Sequence, residues 1–161
     1  MVGDYSLNIY NPSAATFYRN EGLLEITPSI ELSAKHLHAL LKFEGIYEVI
    51  SHGRMTSMYM AHDLYKAYNV DTTEPLLLEN EAGQYLVKRD VFGKCHLLMQ
   101  SHYTLIPIIN RLNNARVRIE AQTETPQALR EIINAHRKAF FDEESTAILI
   151  ESSYTFGATR F

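Results

Sequence analysis

Residues 47–62 read YEVISHGRMTSMYMAH, and this stretch decides how the rest of the chain is interpreted. Its short β-branched apolar run, Val49-Ile50, is typical of a buried strand. A polar turn follows the strand and consists of His52, Gly53 and Arg54. In α/β sheets the chemistry sits at the carboxyl ends of the strands, so this turn is the first candidate for an active site.

Upstream of this stretch, strands and helices alternate with connections of only a few residues. Asn11 is a suitable N-cap for one helix and Ser33 for the next, and Gly22 is a suitable C-cap. The predicted strands are residues 5–10 and 23–27, and the predicted helices are residues 12–22 and 34–42. With the quoted stretch as the third strand, this rhythm favours a parallel sheet.

Downstream of residue 68 the alternation breaks. Residues 76–78 and 84–88 flank a polar turn and predict a β-hairpin, inserted between the third and fourth units of the sheet. The remaining predicted elements are a strand at residues 95–99, a helix at 105–112, a strand at 117–120 and a helix at 126–141.

The predicted fold is α/β, with about five strand units and an inserted β-hairpin. An eight-stranded (β/α) barrel needs about 250 residues, and the chain has 161. We therefore predict a partial TIM-type barrel, with a small open α/β sheet as the alternative. No internal repeat or linker divides the sequence, so residues 1–161 are predicted to form a single domain.

The composition of the chain limits the classes of protein to which it can belong. The chain is 46% hydrophobic and 21% charged, as expected of a globular protein, and its net charge of −4 does not favour nucleic acid by bulk attraction. Its single cysteine, Cys95, excludes an internal disulfide. No apolar run approaches the roughly 20 residues that span a bilayer, and the N-terminus lacks signal-peptide features. These features predict a cytoplasmic protein.

Six segments, taken in order, give the sequence a family resemblance. They are DYSLNIYN, ITPSIELS, EVISHGRMTSM, QYLVKRDVFGKCHLL, RIEAQTETPQALREIINAHRKAF and YTFGATRF. Together they resemble the collagenase-like peptidase family, whose hallmark is a His-Gly-Arg segment after a glutamate-bearing strand. The resemblance implies the C-terminal half of a TIM-type barrel. Members are described as peptidases of unassigned catalytic type, and others take part in hydroxylating RNA bases or quinone precursors.

Departures from the family pattern limit what the resemblance implies. Several members hold an iron–sulfur cluster through four cysteines, whereas the expected cysteine positions here are Asp63, Val91 and Gly93. One thiol cannot replace four thiolate ligands, so we predict no cluster and no other cofactor. A Gly-Arg pair of the family is Ala121-Gln122 in this chain, which removes a potential anion clamp.

Seven residues are candidates for the site. The catalytic candidates are His52, Arg54, Glu31 and Glu120, and the substrate-binding candidates are Gly53, Glu48 and Asn8. His52 would act as a general acid or base and Arg54 would bind an anion. A structural alternative is a hydrogen-bonded network of Glu48, His52 and Arg54 that holds the turn.

The other histidines and basic residues give weaker signals. A zinc site from His52, His62 and His96 lacks any characteristic ligand spacing, so we predict no metal. Two basic groups are compatible with contacts to RNA, but ordinary solvated surface is the preferred interpretation; they are Lys88-Arg89 and Arg111, Arg116 and Arg118.

Two functions follow from the sequence. The first is a peptidase-family hydrolase acting on peptide, modified-base or quinone-type substrates. The second is a non-catalytic half-barrel subunit that completes or regulates a partner enzyme of the same family. A half barrel has unpaired edge strands and an open inner face, so we expect a homo-oligomer or a complementary half-barrel protein as partner.

Overall fold

The computed structural model describes residues 1–81, 83–112 and 115–141, together with the backbone of Tyr154–Thr155. The strands are β1 (Val2–Gly3), β2 (Glu25–Ile26), β3 (Ile46–Gly53), β4 (Thr56–Met60), β5 (Leu76–Asn80), β6 (Gly83–Arg89), β7 (Cys95–Leu98), β8 (His102–Thr104), β9 (Ala115–Glu120) and β10 (Tyr154–Thr155). The α-helices are α1 (Pro12–Asn20), α2 (Ala34–Leu40), α3 (Leu64–Tyr68) and α4 (Pro126–Phe141). Two 3₁₀ helices span Tyr5–Leu7 and Ile106–Arg111.

The chain divides into two compact units. The first unit comprises Met1–Gly53 and Tyr103–Phe161, and the second comprises Arg54–His102. Units of dense internal contact are not by themselves independent domains, so the prediction of one domain stays a prediction. Within the described ranges, no helix is long and apolar enough to cross a bilayer.

The first unit is built on a mostly parallel sheet. Its parallel strands lie in the order β1, β2, β3, β9, and α1 and α2 form the first two crossovers. β8 runs antiparallel to the end of β3, and β10 pairs with β8. The prediction of an α/β fold with a parallel sheet is confirmed. In the described ranges the sheet does not close into a barrel, and β1 and β9 each pair on one side only.

Local capping explains how the first unit begins. The prediction of a strand over residues 5–10 is wrong, because the Asp4 carboxylate accepts a hydrogen bond from the Tyr5 amide and starts a 3₁₀ helix. Asn8 ends that helix in the left-handed conformation. The predicted caps Asn11 and Ser33 are confirmed, since their side chains accept hydrogen bonds from Ala14 N and His36 N.

The first sheet has one buried and one open face. Neighbouring strand residues Ile26 and Tyr47 are buried on one face. On the other, Val2 and Ile46 lie on either side of Glu25 and are 63% and 50% exposed. We call this second face the open face; it carries Val2, Glu25, Ile46, Glu48, Arg116 and Arg118, and it becomes buried further along β3, where Ile50 is 2% exposed.

The second unit is a separate antiparallel sheet with the strand order β4, β7, β6, β5. The predicted hairpin is confirmed as β5 and β6, but β4 and β7 extend it into a four-stranded sheet. Its core contains Tyr65, Val87 and Cys95. The Tyr65 hydroxyl donates to Val87 O at 3.0 Å, and the fully buried Cys95 Sγ accepts from Leu64 N at 3.4 Å.

Later elements mostly follow the prediction. The helix expected at residues 105–112 is a 3₁₀ helix, Ile106–Arg111, with Pro107 in its first turn. The strand β9 and the long helix α4 are confirmed, and Thr125 caps α4 by accepting from Ala128 N. The predicted features of residues 156–161 lie outside the described residues.

Candidate functional site

The carboxyl end of β3 is buried. Ser51 is fully buried, and His52 is 1% exposed. The pairing of β3 with β9 shifts register between Ile50 and His52, which is a β-bulge. A bulge re-aims the side chains next to it. The predicted polar turn is thus the end of the strand itself, since β3 extends through Gly53.

Ser51 and His136 form a buried hydrogen-bonded pair between β3 and α4. Ser51 Oγ lies 2.8 Å from His136 Nε2, and His136 Nδ1 lies 2.7 Å from the carbonyl oxygen of Ile132. Because a carbonyl only accepts, Nδ1 carries a proton and Nε2 of the neutral ring accepts from the Ser51 hydroxyl. Burial lowers the pKa of His136, and this favours the neutral ring.

This pair has the geometry of a nucleophile, a base and an orienting group. The pair also has a purely structural use, since it joins α4 to β3 without leaving a buried polar atom unsatisfied. Ser51 Oγ has a second, longer contact of 3.3 Å to the carbonyl oxygen of Arg118 on β9. Three elements therefore meet at one hydroxyl group.

His52 packs close to this pair. Its ring centroid lies 6.2 Å from that of His136, and the two rings are nearly perpendicular. Because His52 is 1% exposed, its imidazole does not face solvent. A general acid or base must reach the proton it transfers, so the predicted role of His52 requires an opening of this region.

Gly53 allows β3 and β9 to approach closely. It has φ +145°, and a Cβ built on it would lie 2.6 Å from both Cβ and O of Glu120. No side chain fits in that space without moving the backbone of β9. The predicted substrate-binding role of Gly53 therefore competes with a clear packing role.

Arg118 forms the centre of a charged network on the open face. Its guanidinium pairs with Asp4 at 2.7 Å, and with Glu48 and Glu120 at 2.9 Å each. Burial alone would lower the pKa of Arg118, but the three carboxylates hold it above its usual value. Arg116 forms a separate pair with Glu25 at 2.8 Å. Arg116, which is 66% exposed, fits the interpretation as solvated surface, whereas Arg118, 26% exposed, is enclosed by carboxylates.

The structure brings together only some of the predicted site residues. Glu48 and Glu120 meet through Arg118, and Glu120 lies against Gly53. The Glu31 side chain is exposed, and among the described residues it forms no ion pair with this network. Asn8 is exposed and serves as the C-cap of the first 3₁₀ helix. Arg54 belongs to the second unit.

Sequence reasoning missed Ser51, His136 and Arg118 as structural partners. His136 follows the apolar positions Ile132 and Ile133 at helical spacing, and a histidine in an apolar stripe signals a buried polar contact. The role of Arg118 depends on the register between β3 and β9, which local sequence does not reveal.

In the second unit, Asp63 stands where the family resemblance expects a cysteine. Its carboxylate caps α3 by accepting from Lys66 N, and it pairs with Arg89 at 2.7 Å. The hydrogen bond from Arg89 is the main reason that the pKa of Asp63 is lowered. The Asp63 carboxylate therefore has a structural role in the second unit.

Comparison with protein-family models, curated proteins and solved structures finds no significant match to this chain.

Proposed function

We propose that the chain is a non-catalytic subunit that supplies the C-terminal half of a TIM-type barrel and is completed by a partner of the collagenase-like peptidase family. The observation that carries this proposal is the parallel run β1, β2, β3, β9, whose two end strands are unpaired on their outer sides within the described ranges. Exposed strand edges favour pairing with further strands. The antiparallel sheet of the second unit would be the family's inserted hairpin, extended by two strands.

The open face supports the same proposal. Parallel sheets are normally covered on both faces, because both faces bury apolar side chains. Here Val2 and Ile46 expose 63% and 50% of their surface. A partner that covers this face would remove both side chains from water, at a gain of about 25 cal/mol per Å² of apolar surface.

The charges of the open face favour a different chain over a second copy. The Arg118 network and the separate Arg116–Glu25 pair, which extend from the open face to Asp4 and Glu120, together contain four carboxylates, those of Asp4, Glu25, Glu48 and Glu120, and two guanidinium groups, those of Arg116 and Arg118. Four negative and two positive charges leave a net charge of −2. Two identical faces would repel each other, whereas a face with excess Lys or Arg would be complementary.

Burial at the end of β3 supports the loss of catalysis. Ser51 and His52 are at most 1% exposed, so neither reaches a substrate in the folded chain. The chain also lacks the cysteines of the family and its Gly-Arg pair, which is Ala121-Gln122 here. This too supports the loss of catalysis. The retained His-Gly-Arg segment would then serve the fold.

Light scattering and titration with a chain that carries the N-terminal half of a barrel of this family test the proposal. We expect a monomer alone and a one-to-one complex after mixing. Ile46→Glu on the open face should weaken the complex at least tenfold. Val91→Glu, at a 91% exposed position of the second unit, should leave it unchanged.

Three results would contradict the proposed pairing, its interface or the choice of partner. A chain that stays monomeric and ignores the complementary half refutes the pairing. A complex that tolerates Ile46→Glu refutes the open face as its interface. A tight homodimer through Ile46 keeps the pairing but refutes the preference for a different chain.

The second candidate is a hydrolase, and the Ser51–His136 geometry favours it. Ser51 Oγ would attack the carbonyl carbon of an ester while His136 Nε2 takes the hydroxyl proton; the ester C–O bond would break, the alcohol would leave with that proton, and water would then hydrolyse the acyl-Ser51 ester to the free acid and regenerate the hydroxyl. This reaction requires the buried pair to become accessible. Hydrolysis of a p-nitrophenyl ester by the purified chain, abolished by Ser51→Ala in a folded variant, would support it. Equal rates for wild type and variant would exclude Ser51 as the nucleophile.

A further inference from the structure

We propose that a groove beside α2 in the first unit binds a small organic anion with an apolar body. The groove has a volume of about 540 Å³ and is lined by Lys35, His38, Ala39, Lys42 and Phe43. This volume lies in the range of small-molecule sites. It is separate from the end of β3 and from the open face, and it is independent of the proposed barrel pairing.

The positive charge of the groove is not compensated. Lys35 and Lys42 form no ion pair with any residue in the described ranges, and no acidic residue lines the groove. The nearest acid in the sequence, Glu44, pairs with Arg19. In a chain of net charge −4, two unpaired lysines in one concavity are a local site for an anion.

The arrangement of the groove brings its basic groups together. Lys35 and His38 are three residues apart on α2 and so lie on the same side of that helix, and Lys42, just beyond the end of α2, lines the same groove. His38 is held in place by a contact of 3.3 Å between its Nδ1 and the carbonyl oxygen of Arg111. Three nitrogen-bearing groups thus converge on one concavity.

The floor of the groove is apolar. Phe43 is 53% exposed, Ala39 lies beside it, and the aliphatic stems of the two lysines add further apolar surface. Inorganic phosphate would interact only with the charged groups of the groove. A ligand with a flat aryl or acyl body and one carboxylate or phosphate would use both the charges and the Phe43 ring.

Isothermal titration with defined probes tests this inference. The probes are 1-naphthyl phosphate, 2-naphthoate, inorganic phosphate and a short oligouridylate. We expect both naphthyl anions to bind at least tenfold more tightly than inorganic phosphate. The ratio between the two naphthyl anions then distinguishes a phosphate from a carboxylate head group.

Variants locate the binding. Lys35→Gln and Lys42→Gln should each weaken the naphthyl anions about threefold to tenfold, and Phe43→Ser should weaken them while leaving inorganic phosphate unchanged. Lys138→Gln removes an exposed lysine of the same unit outside the groove and is the matched control. Far-UV circular dichroism confirms that each variant is folded.

Several outcomes overturn the inference. If Lys138→Gln weakens binding as much as Lys35→Gln does, the binding reflects general charge attraction and not a site in the groove. Equal affinity for inorganic phosphate and naphthyl phosphate removes the role of the apolar floor. Tight binding of the oligouridylate alone, sensitive to the same lysines, assigns the groove to a polymer. Absence of binding by every probe at millimolar concentration also refutes the site.

Discussion

Ser51 Oγ and His136 Nε2 lie 2.8 Å apart in the interior of the first unit, where they join the end of β3 to the middle of α4. His136 also donates through Nδ1 to Ile132 O, so both ring nitrogens have partners when the ring is neutral. Replacing Ser51 leaves His136 Nε2 buried without a partner, whereas replacing His136 leaves the Ser51 hydroxyl only its longer contact to Arg118 O. The pair therefore links the stability of the sheet to that of its longest helix.

Loss of the Ser51 hydroxyl should destabilise the chain. Ser51→Ala leaves His136 Nε2 buried without a donor, and such a loss costs about 1–3 kcal/mol. Urea unfolding followed by circular dichroism measures the change. Ser57→Ala is the control, because the Ser57 hydroxyl also donates a hydrogen bond, in this case to Leu97 O at an exposed site. We expect the control to cost less than about 0.5 kcal/mol. Equal costs would show that burial of the Ser51 bond is unimportant.

Stability should fall on mild acidification because of His136. Its folded-state pKa is lowered by burial, so the unfolded chain takes up the proton first as the pH falls through about 6.5. The unfolded state then binds more protons, and the free energy of unfolding decreases by at most about 1.4 kcal/mol per pH unit for this residue. The stabilisation that comes from keeping His136 neutral is fully present at pH values above the unfolded-state pKa and is lost as the pH falls below it.

Unfolding measured between pH 7.5 and 5 checks this prediction. His136→Asn should lower stability at pH 7.5 and make its pH dependence less steep. An unchanged slope would show that His136 does not control the acid response.

Removal of the Arg118 guanidinium should cost more than removal of that of Arg116. Arg118→Gln leaves three carboxylates close together, and its side chain is 26% exposed, so we expect a loss of about 2 kcal/mol. Arg116→Gln breaks one pair of a side chain that is 66% exposed and should cost less than about 1 kcal/mol. Thermal unfolding at low and high salt compares them. Similar losses would mean that the Arg118 network is weak.

A methyl group at Gly53 should disrupt the contact of β3 with β9. Gly53→Ala combines φ +145° with a Cβ position 2.6 Å from Glu120 O, and we expect a cost of about 3 kcal/mol or more. Gly22→Ala is the matched control, because Gly22 has φ +96° but open space around its Cβ position. The control should cost about 1 kcal/mol. If both variants lose the same stability, backbone conformation alone explains the effect.

Local chemistry predicted much of the fold. The caps Asn11 and Ser33 act within three residues of themselves, and the buried run Val49-Ile50 is a strand because its composition is β-branched. The failures involve partners distant in sequence or competing caps. Asp4 converts a β-like pattern into a 3₁₀ helix by accepting one hydrogen bond, and an alternating pattern cannot reveal this competition.

The position of the candidate site was predictable from the sequence, but the side chains that meet there were not. The end of β3 follows from a strand ending in His52-Gly53, but the partners there come from β9 and α4, 67 and 85 residues away. One interpretation of the sequence places Glu48 in a network with His52 and Arg54; the register pairs Glu48 with Arg116, and its carboxylate binds Arg118. Pairings over such distances depend on tertiary packing, which sequence periodicity does not encode.

The buried thiol of the second unit can report on the opening of that unit. Cys95 is the single cysteine of the chain, and no part of its surface reaches solvent. A thiol reagent can modify it only when the antiparallel sheet opens, so the rate of modification measures that opening directly. Events in this sheet can therefore be timed in the unaltered protein, without any added label.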